Sequence, residues 1–171
     1  MTTNLGEVVE LWRYPVKSLR GERVAEVVCD NRGVVGDRWW AVRGADGRIG
    51  SGKTTQRFRR MPGLLSMSAR FDDDGAAWVE LPSGDRARVD DPGTAELVGA
   101  VVGEAVSLEE ESGISHFDDD ALHVLTTSAL SWVRTARPDD DVEVSRFRPN
   151  IVLGVPAEGR PEDGWAGRTL R

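Results

Sequence analysis

Arg146 and Arg148 with Asn150, and Lys17 with Ser18, are residue types that suit one chemistry, the holding of an anion. An ammonium is a point charge, whereas a guanidinium is a planar fork that grips two oxygens of a phosphate or carboxylate. Hydroxyls, amides and helix-start N–H groups fill the remaining acceptor positions. The densest run is Arg146-Phe147-Arg148-Pro149-Asn150. Pro149 removes an amide donor and disfavours the α region at Arg148, so the run is predicted to be extended. Side chains alternate along an extended chain, which would put Arg146, Arg148 and Asn150 on one face. The apolar Ile151-Val152-Leu153 would anchor that face on a buried strand. Lys17 and Ser18 lie where Pro15 should end sheet pairing and Gly21 permits a bend, and Arg38 follows the glycine-framed turn Gly33 to Asp37.

Other stretches offer weaker chemistry. Gly47-Arg48-Ile49-Gly50-Ser51-Gly52-Lys53-Thr54 satisfies the phosphate-loop pattern, in which Lys53 and Thr54 would meet phosphates and magnesium. Such a loop should leave a buried strand and open into a helix. Here the basic, proline-ended segment Gln56 to Gly63 follows, so a glycine-rich hairpin with a basic return strand is the expectation and nucleotide binding at 47–54 the minor alternative. Three acidic triplets, at 72–74, 118–120 and 139–141, lack the ligand spacing of a calcium loop and read as solvated turns. Cys29 is the single cysteine, which excludes an intrachain disulfide, and its strand position predicts a buried structural thiol. His123 reads equally as a core histidine bonded to a carbonyl or as a ligand contact.

These groups must be positioned mostly by short strands. Val8 to Trp12, Val24 to Cys29, Trp39 to Val42, Leu64 to Phe71, Ala77 to Leu81 and Ala105 to Leu108 have strand character, with hairpin turns at Asp46-Gly47 and Ser83-Gly84-Asp85. One helix should start at Asp91-Pro92 and stop at Gly103, and a second should open at Thr126-Thr127-Ser128. The pattern is mostly β with a few helices, α+β, as a barrel or curled mixed sheet. With 171 residues, 39% hydrophobic, the chain suits one compact domain or two small packed ones. A net charge of −7 argues against nucleic acid as a partner. No apolar run is long enough to span a bilayer, and residues 1–5 lack a basic and apolar leader, so no membrane partner and a cytoplasmic location are expected.

Four stretches in order give a family resemblance: Tyr-Pro-Val-Lys-Ser-Leu-Arg-Gly at 14–21, Gly-Val-Val-Gly-Asp-Arg at 33–38, His-Val-Leu-Thr-Thr-Ser at 123–128 and Arg-Phe-Arg-Pro-Asn-Ile at 146–151. Together, with Glu162-Asp163-Gly164-Trp165 after them, they resemble the MOSC family, the domains related to the molybdenum-cofactor sulfurase C-terminus. The chain looks similar to the mitochondrial amidoxime-reducing components and their bacterial relatives. The resemblance implies an amino-terminal MOSC β-barrel domain over 1–113 and a MOSC domain over 114–171, with molybdopterin held at their junction. By motif match Lys17, Ser18, Arg38, Thr126, Thr127, Arg148 and Asn150 would contact that cofactor. The implied activity is reduction of N-hydroxylated or related small molecules, with electrons from a redox partner protein. No catalytic residue or metal ligand is assigned. Family members carry a molybdenum-ligating cysteine beyond a further strand pair. Gly167 to Arg171 falls where that pair would begin, so the expectation is a C-terminally incomplete MOSC domain. A non-catalytic module binding cofactor or carrying sulfur, or a truncated remnant, are the alternatives.

Overall fold

A computed structural model describes residues 4–169; the chain ends considered above, 1–3 and 170–171, lie outside the described residues. By its contacts the chain falls into two units. The smaller comprises residues up to Trp12, Arg23–Val27 and residues from Leu122 onward; the larger comprises Arg13–Glu22 and Val28–Ala121.

In the smaller unit β1 (Glu7–Arg13) and β2 (Glu22–Val24) complete a sheet with β12 (Val124–Thr126) and β13 (Ile151–Gly154), in the order β12-β13-β1-β2. β13 runs antiparallel to β1 and parallel to β12. The helix α2 (Thr127–Ala136) follows β12 without a break. It puts Ala129 and Leu130 against Leu125 and Val142, a small core that Val133, Val144 and Phe147 complete. Among the described residues, Ala166 and Gly167 form a turn, and Arg168 and Thr169 belong to no strand.

In the larger unit the two-residue strands β3 (Cys29–Asp30) and β4 (Gly33–Val34) pair antiparallel. β5 (Trp40–Gly44), β6 (Ile49–Ser51), β7 (Phe58–Arg60) and β11 (Val106–Glu110) form a sheet in the order β11-β5-β6-β7. β8 (Ser68–Phe71), β9 (Ala77–Glu80) and β10 (Arg86–Arg88) form an antiparallel meander. The helix α1 (Thr94–Val102) ends at Gly103, whose left-handed φ of 81° suits the residue after a helix. The core joins Val16, Leu19, Val42, Met61, Leu64, Met67, Val79 and Val98. Val16 and Leu19 thus pin the segment that carries Lys17 and Ser18.

The fold is mostly β with two α-helices among the described residues, as the strand spacing predicts. Several details differ. Leu64–Ser66 is a 3₁₀ turn rather than strand, and its three-residue period sends Leu64 and Met67 into the core together. Residues 25–28 leave the sheet between β2 and β3. α1 starts at Thr94, not at the expected Asp91-Pro92 boundary, because Asp91 closes a turn by accepting from the Thr94 amide at 3.0 Å. Cys29 is exposed, not buried, because both residues of the short β3 face solvent.

The run 146–150 is not extended. Val144–Arg146 forms a 3₁₀ turn, Phe147 continues in the right-handed region, and Arg148 takes a φ of 54°. Proline disfavours the right-handed helix at the residue before it, and here that residue escapes into the left-handed region instead of the β region. The turn delivers Phe147 to the small core. As a result the single donor face expected of Arg146, Arg148 and Asn150 does not exist: Arg146 is exposed and Asn150 is fully buried.

Candidate anion-binding site

Backbone hydrogen bonds join the two amino-terminal motifs in the larger unit. The Arg38 amide donates to the Tyr14 carbonyl at 2.6 Å, Trp40 to Pro15 at 3.0 Å and Lys17 to Trp40 at 2.7 Å. Lys17, Ser18 and Arg38 are therefore carried by one stitched piece of backbone. Ser18 has a φ of 67° and Arg38 a φ of 50°. With Arg148 they are the non-glycine residues of positive φ among those described, and each such conformation costs roughly 1–2 kcal/mol. Strain retained at predicted ligand-binding positions is a pointer to function, because the surrounding structure must over-determine it.

That structure is visible around each residue. The Ser18 hydroxyl donates to the Gly50 carbonyl at 3.0 Å. Gly50 has no room for a side chain: a Cβ there would lie 2.7 Å from the Met61 sulfur. Beneath Arg38 lies the fully buried Asp37, which accepts from the Tyr14 amide at 2.7 Å and pairs with the Arg38 guanidinium. The same guanidinium stacks over the rings of Tyr14 and Phe117, at 5.1 and 5.7 Å from their centroids.

Lys17 is 2% exposed and pairs with Asp118, which also accepts from Lys53 at 2.8 Å. Both ammonium groups and the Arg57 guanidinium gather over the buried ring of Phe58, at 4.9, 5.1 and 5.0 Å from its centroid. Burial pushes the Asp118 carboxyl up, but hydrogen bonds from Lys17 and Lys53 outweigh this and hold it below the usual carboxylate range. Asp118 lies in an exposed bend, as expected of its triplet, and is in addition the ion-pair partner of two lysines. The triplets at 72–74 and 139–141 also lie in exposed turns.

Arg32, which no motif marks, grips both oxygens of Glu111 at 2.7 and 2.8 Å and donates to the carbonyls of Asp37 and Arg38. Hydrogen bonds from Arg32 bring the Glu111 carboxyl down to about 2. His116 is fully buried, with Nδ1 3.1 Å from the Arg38 carbonyl and its amide donating to Glu111 at 2.7 Å. Burial lowers its pKa and keeps the ring neutral near pH 7. Arg32, Glu111 and His116 thus clamp the Arg38 backbone in its strained form. A separate open cleft of about 680 Å³ in this unit, walled by Trp39, Trp40 and Phe71, contains none of the predicted residues.

Three candidates of the smaller unit, Thr126, Thr127 and Asn150, hold backbone. The Thr126 hydroxyl caps α2 by accepting from the Ala129 amide at 3.0 Å and donates to Glu162 at 2.9 Å. The Thr127 hydroxyl accepts from Val155 at 3.3 Å. The Asn150 carboxamide accepts from the His123 amide at 3.2 Å and donates to the Trp12 carbonyl at 3.4 Å. His123 itself is exposed, so it is not the core histidine of the first alternative.

The phosphate-loop match at 47–54 is a hairpin. Gly47 closes the turn between β5 and β6, Ile49–Ser51 is itself strand, and β7 rather than a helix follows Lys53 and Thr54. Among the described residues no group of three acidic, histidine or cysteine side chains could hold a metal ion, and no helix is long and apolar enough to cross a membrane.

The stitched motif pair thus sits on a mostly β scaffold. The model of the MOSC N-terminal beta barrel domain matches residues 5–131, so the chain belongs to that family. Human (Homo sapiens) mitochondrial amidoxime-reducing component 1 is 22% identical over an alignment 202 positions long, covering 94% of this chain and 59% of that protein. The cattle (Bos taurus) mitochondrial amidoxime reducing component 2 is 35% identical over 74 residues, covering 41% of this chain and 20% of that protein. The chain thus spans 59% or less of the length of these curated relatives.

Proposed function

We propose that this protein binds molybdopterin through its phosphate and takes part in reducing N-hydroxylated small molecules, with electrons from a partner redox protein. The observation that carries the reading is Lys17: a cation 2% exposed, on the same stitched piece of backbone as the strained Ser18 and Arg38. Burying an ammonium is costly unless it is paired, and a phosphate monoester pairs with it well, since it carries nearly two charges and three acceptor oxygens. The donor set of ammonium, hydroxyl and guanidinium fits that group.

Lys17, Ser18 and Arg38 would hold the phosphate, and motif match adds Thr126, Thr127, Arg148 and Asn150 as further contacts. When bound, the cofactor would supply the oxygen-atom and electron chemistry. The chain's own residues bind and orient. We assign 1–113 to the amino-terminal domain and 114–171 to the MOSC domain, and place the protein in the cytoplasm. The test is the pterin and molybdenum content of protein purified from a cofactor-competent host. Wild type should retain pterin, and Lys17→Ala and Arg38→Ala should each retain about tenfold less, the equivalent of one charge-assisted contact. A folded wild type without pterin, or variants that retain it undiminished, would overturn the reading.

A further inference from the structure

Arg32 stands one residue outside the Gly33 to Arg38 stretch, yet its guanidinium reaches both of the peptide groups that flank the Arg38 Cα. The first joins Asp37 to Arg38. Its carbonyl accepts from Arg32 at 2.6 Å and its amide donates to the Tyr14 carbonyl at 2.6 Å, so the plane is held at both ends. The second joins Arg38 to Trp39, and its carbonyl accepts from Arg32 at 3.3 Å and from His116. Arg43 fixes the tautomer of that histidine. A guanidinium can only donate, and it lies 3.4 Å from Nε2, so the ring proton sits on Nδ1 and faces the Arg38 carbonyl 3.1 Å away. Peptide groups are planar, so two pinned planes leave the Cα between them no free torsion and set the direction of its Cβ bond. The Arg38 side chain thus leaves a left-handed backbone, with a φ of 50°, in one direction.

Arg32 is itself held. Both oxygens of Glu111 accept from its fork, and its guanidinium lies 5.1 Å from the Trp39 ring centroid and 4.6 Å from that of Phe117. The Arg38 guanidinium meets the same Phe117 ring, which registers the two arginines against each other. An ion pair largely out of water, with side chains 21% and 15% exposed, is weak evidence of stabilisation in itself. What this one supplies is geometry. We infer that Arg32 is a positioning residue of the anion site, which holds the Arg38 side chain in its ligand-binding direction and touches no ligand itself. The inference rests on the proposed function for what the site holds. It adds that affinity depends on a residue outside the motif, through preorganisation rather than contact. Lysine is no substitute, because one ammonium cannot grip a carboxylate at two oxygens and reach two carbonyls together.

The full chain, made in a host unable to synthesise the cofactor, is titrated with inorganic phosphate by calorimetry. Arg32→Lys should bind phosphate about tenfold more weakly than wild type. Glu111→Gln keeps Arg32 and weakens its anchor, should bind about threefold more weakly, and reports even if Arg32→Lys does not fold. Amide exchange supplies a readout that a merely structural role would not give. In both variants it should quicken at Arg38 and Trp40, whose amides are bonded to Tyr14 and Pro15, and stay unchanged at Ala69 and Val89, bonded to Arg20 and Ala77. Unchanged affinity in the folded variants, or exchange that quickens equally at all four amides, overturns the inference. Pterin content of protein from a cofactor-competent host separates it from the cofactor reading. Pterin present in wild type and undiminished in Arg32→Lys sinks the positioning role and spares the cofactor. Weaker phosphate binding by Arg32→Lys with no pterin in wild type supports the positioning role and sinks the cofactor reading. A wild type that binds neither phosphate nor pterin sinks both.

Discussion

The two units use their motif residues in opposite ways. In the larger unit Lys17 and Arg38 are cations set against carboxylates, Asp118 and Asp37, and a second layer of Arg32, Glu111 and His116 holds the backbone beneath them. In the smaller unit the side chains of Thr126, Thr127 and Asn150 bond to backbone amides and carbonyls and secure the start of α2 and the edge of β13. The first set is organised by charge and would answer to an anion. The second is organised by local geometry and would answer first to unfolding. A motif match therefore identifies which residues recur without saying which job each does.

Asp37→Ala should be the most damaging change to the charge-held set. Asp37 is fully buried, and its loss would remove the carboxylate that pairs with the nearly buried Arg38 guanidinium and accepts from the Tyr14 amide. Removing one partner of a buried pair costs about 3–5 kcal/mol, so the denaturation midpoint should fall far enough to leave the protein partly unfolded at room temperature. A drop of less than about 1 kcal/mol would show that solvent reaches Arg38 and that the charge-held description fails.

Acid should separate the units next. Glu111 has its pKa lowered from 4.5 to about 2 in the folded protein. The unfolded chain then binds the proton more readily, so this stabilisation is complete above about pH 5 and is lost as the pH falls from 4.5 toward 2. His116, lowered by burial, adds to the loss as the unfolded ring protonates below its ordinary value of 6.5. Glu111→Gln should flatten the acid limb of the stability profile measured by denaturant at successive pH values. Thr126→Ala, in the geometry-held set, should leave the shape of that profile unchanged while lowering the whole curve by about 1–2 kcal/mol through the lost cap.

The difference between the units also explains what the sequence could disclose. The capped start of α2 was readable because Thr126 and its amide partner Ala129 are three residues apart and obey a local rule. The hairpins at Asp46-Gly47 and Ser83-Gly84-Asp85 were readable for the same reason. Arg32 and Glu111 are 79 positions apart, and Lys17 and Asp118 are 101, so no local pattern could pair them. Asp118 was hidden inside an acidic triplet, all of whose members are exposed. The extended reading of Arg146 to Asn150 failed because it weighed the proline and omitted the pull of Phe147 toward the small core.

The smallest expected effect is the most diagnostic of strain. Ser18→Gly would relieve a left-handed residue, worth roughly 1–2 kcal/mol, and remove one hydrogen bond to the Gly50 carbonyl, worth roughly 1 kcal/mol. Glycine also loses more freedom on folding, by roughly 0.5–1 kcal/mol, so the net change should lie near zero. Ser18→Ala keeps the strain and loses the same bond, and should be destabilised by roughly 1 kcal/mol. The gap between the two variants in a denaturation experiment therefore reads the strain alone, apart from the glycine entropy. If alanine and glycine are equally stable, the backbone at Ser18 relaxes without loss and its φ carries no functional meaning. If glycine is the more stable and yet retains less pterin than wild type, the strain is held there for the hydroxyl it presents.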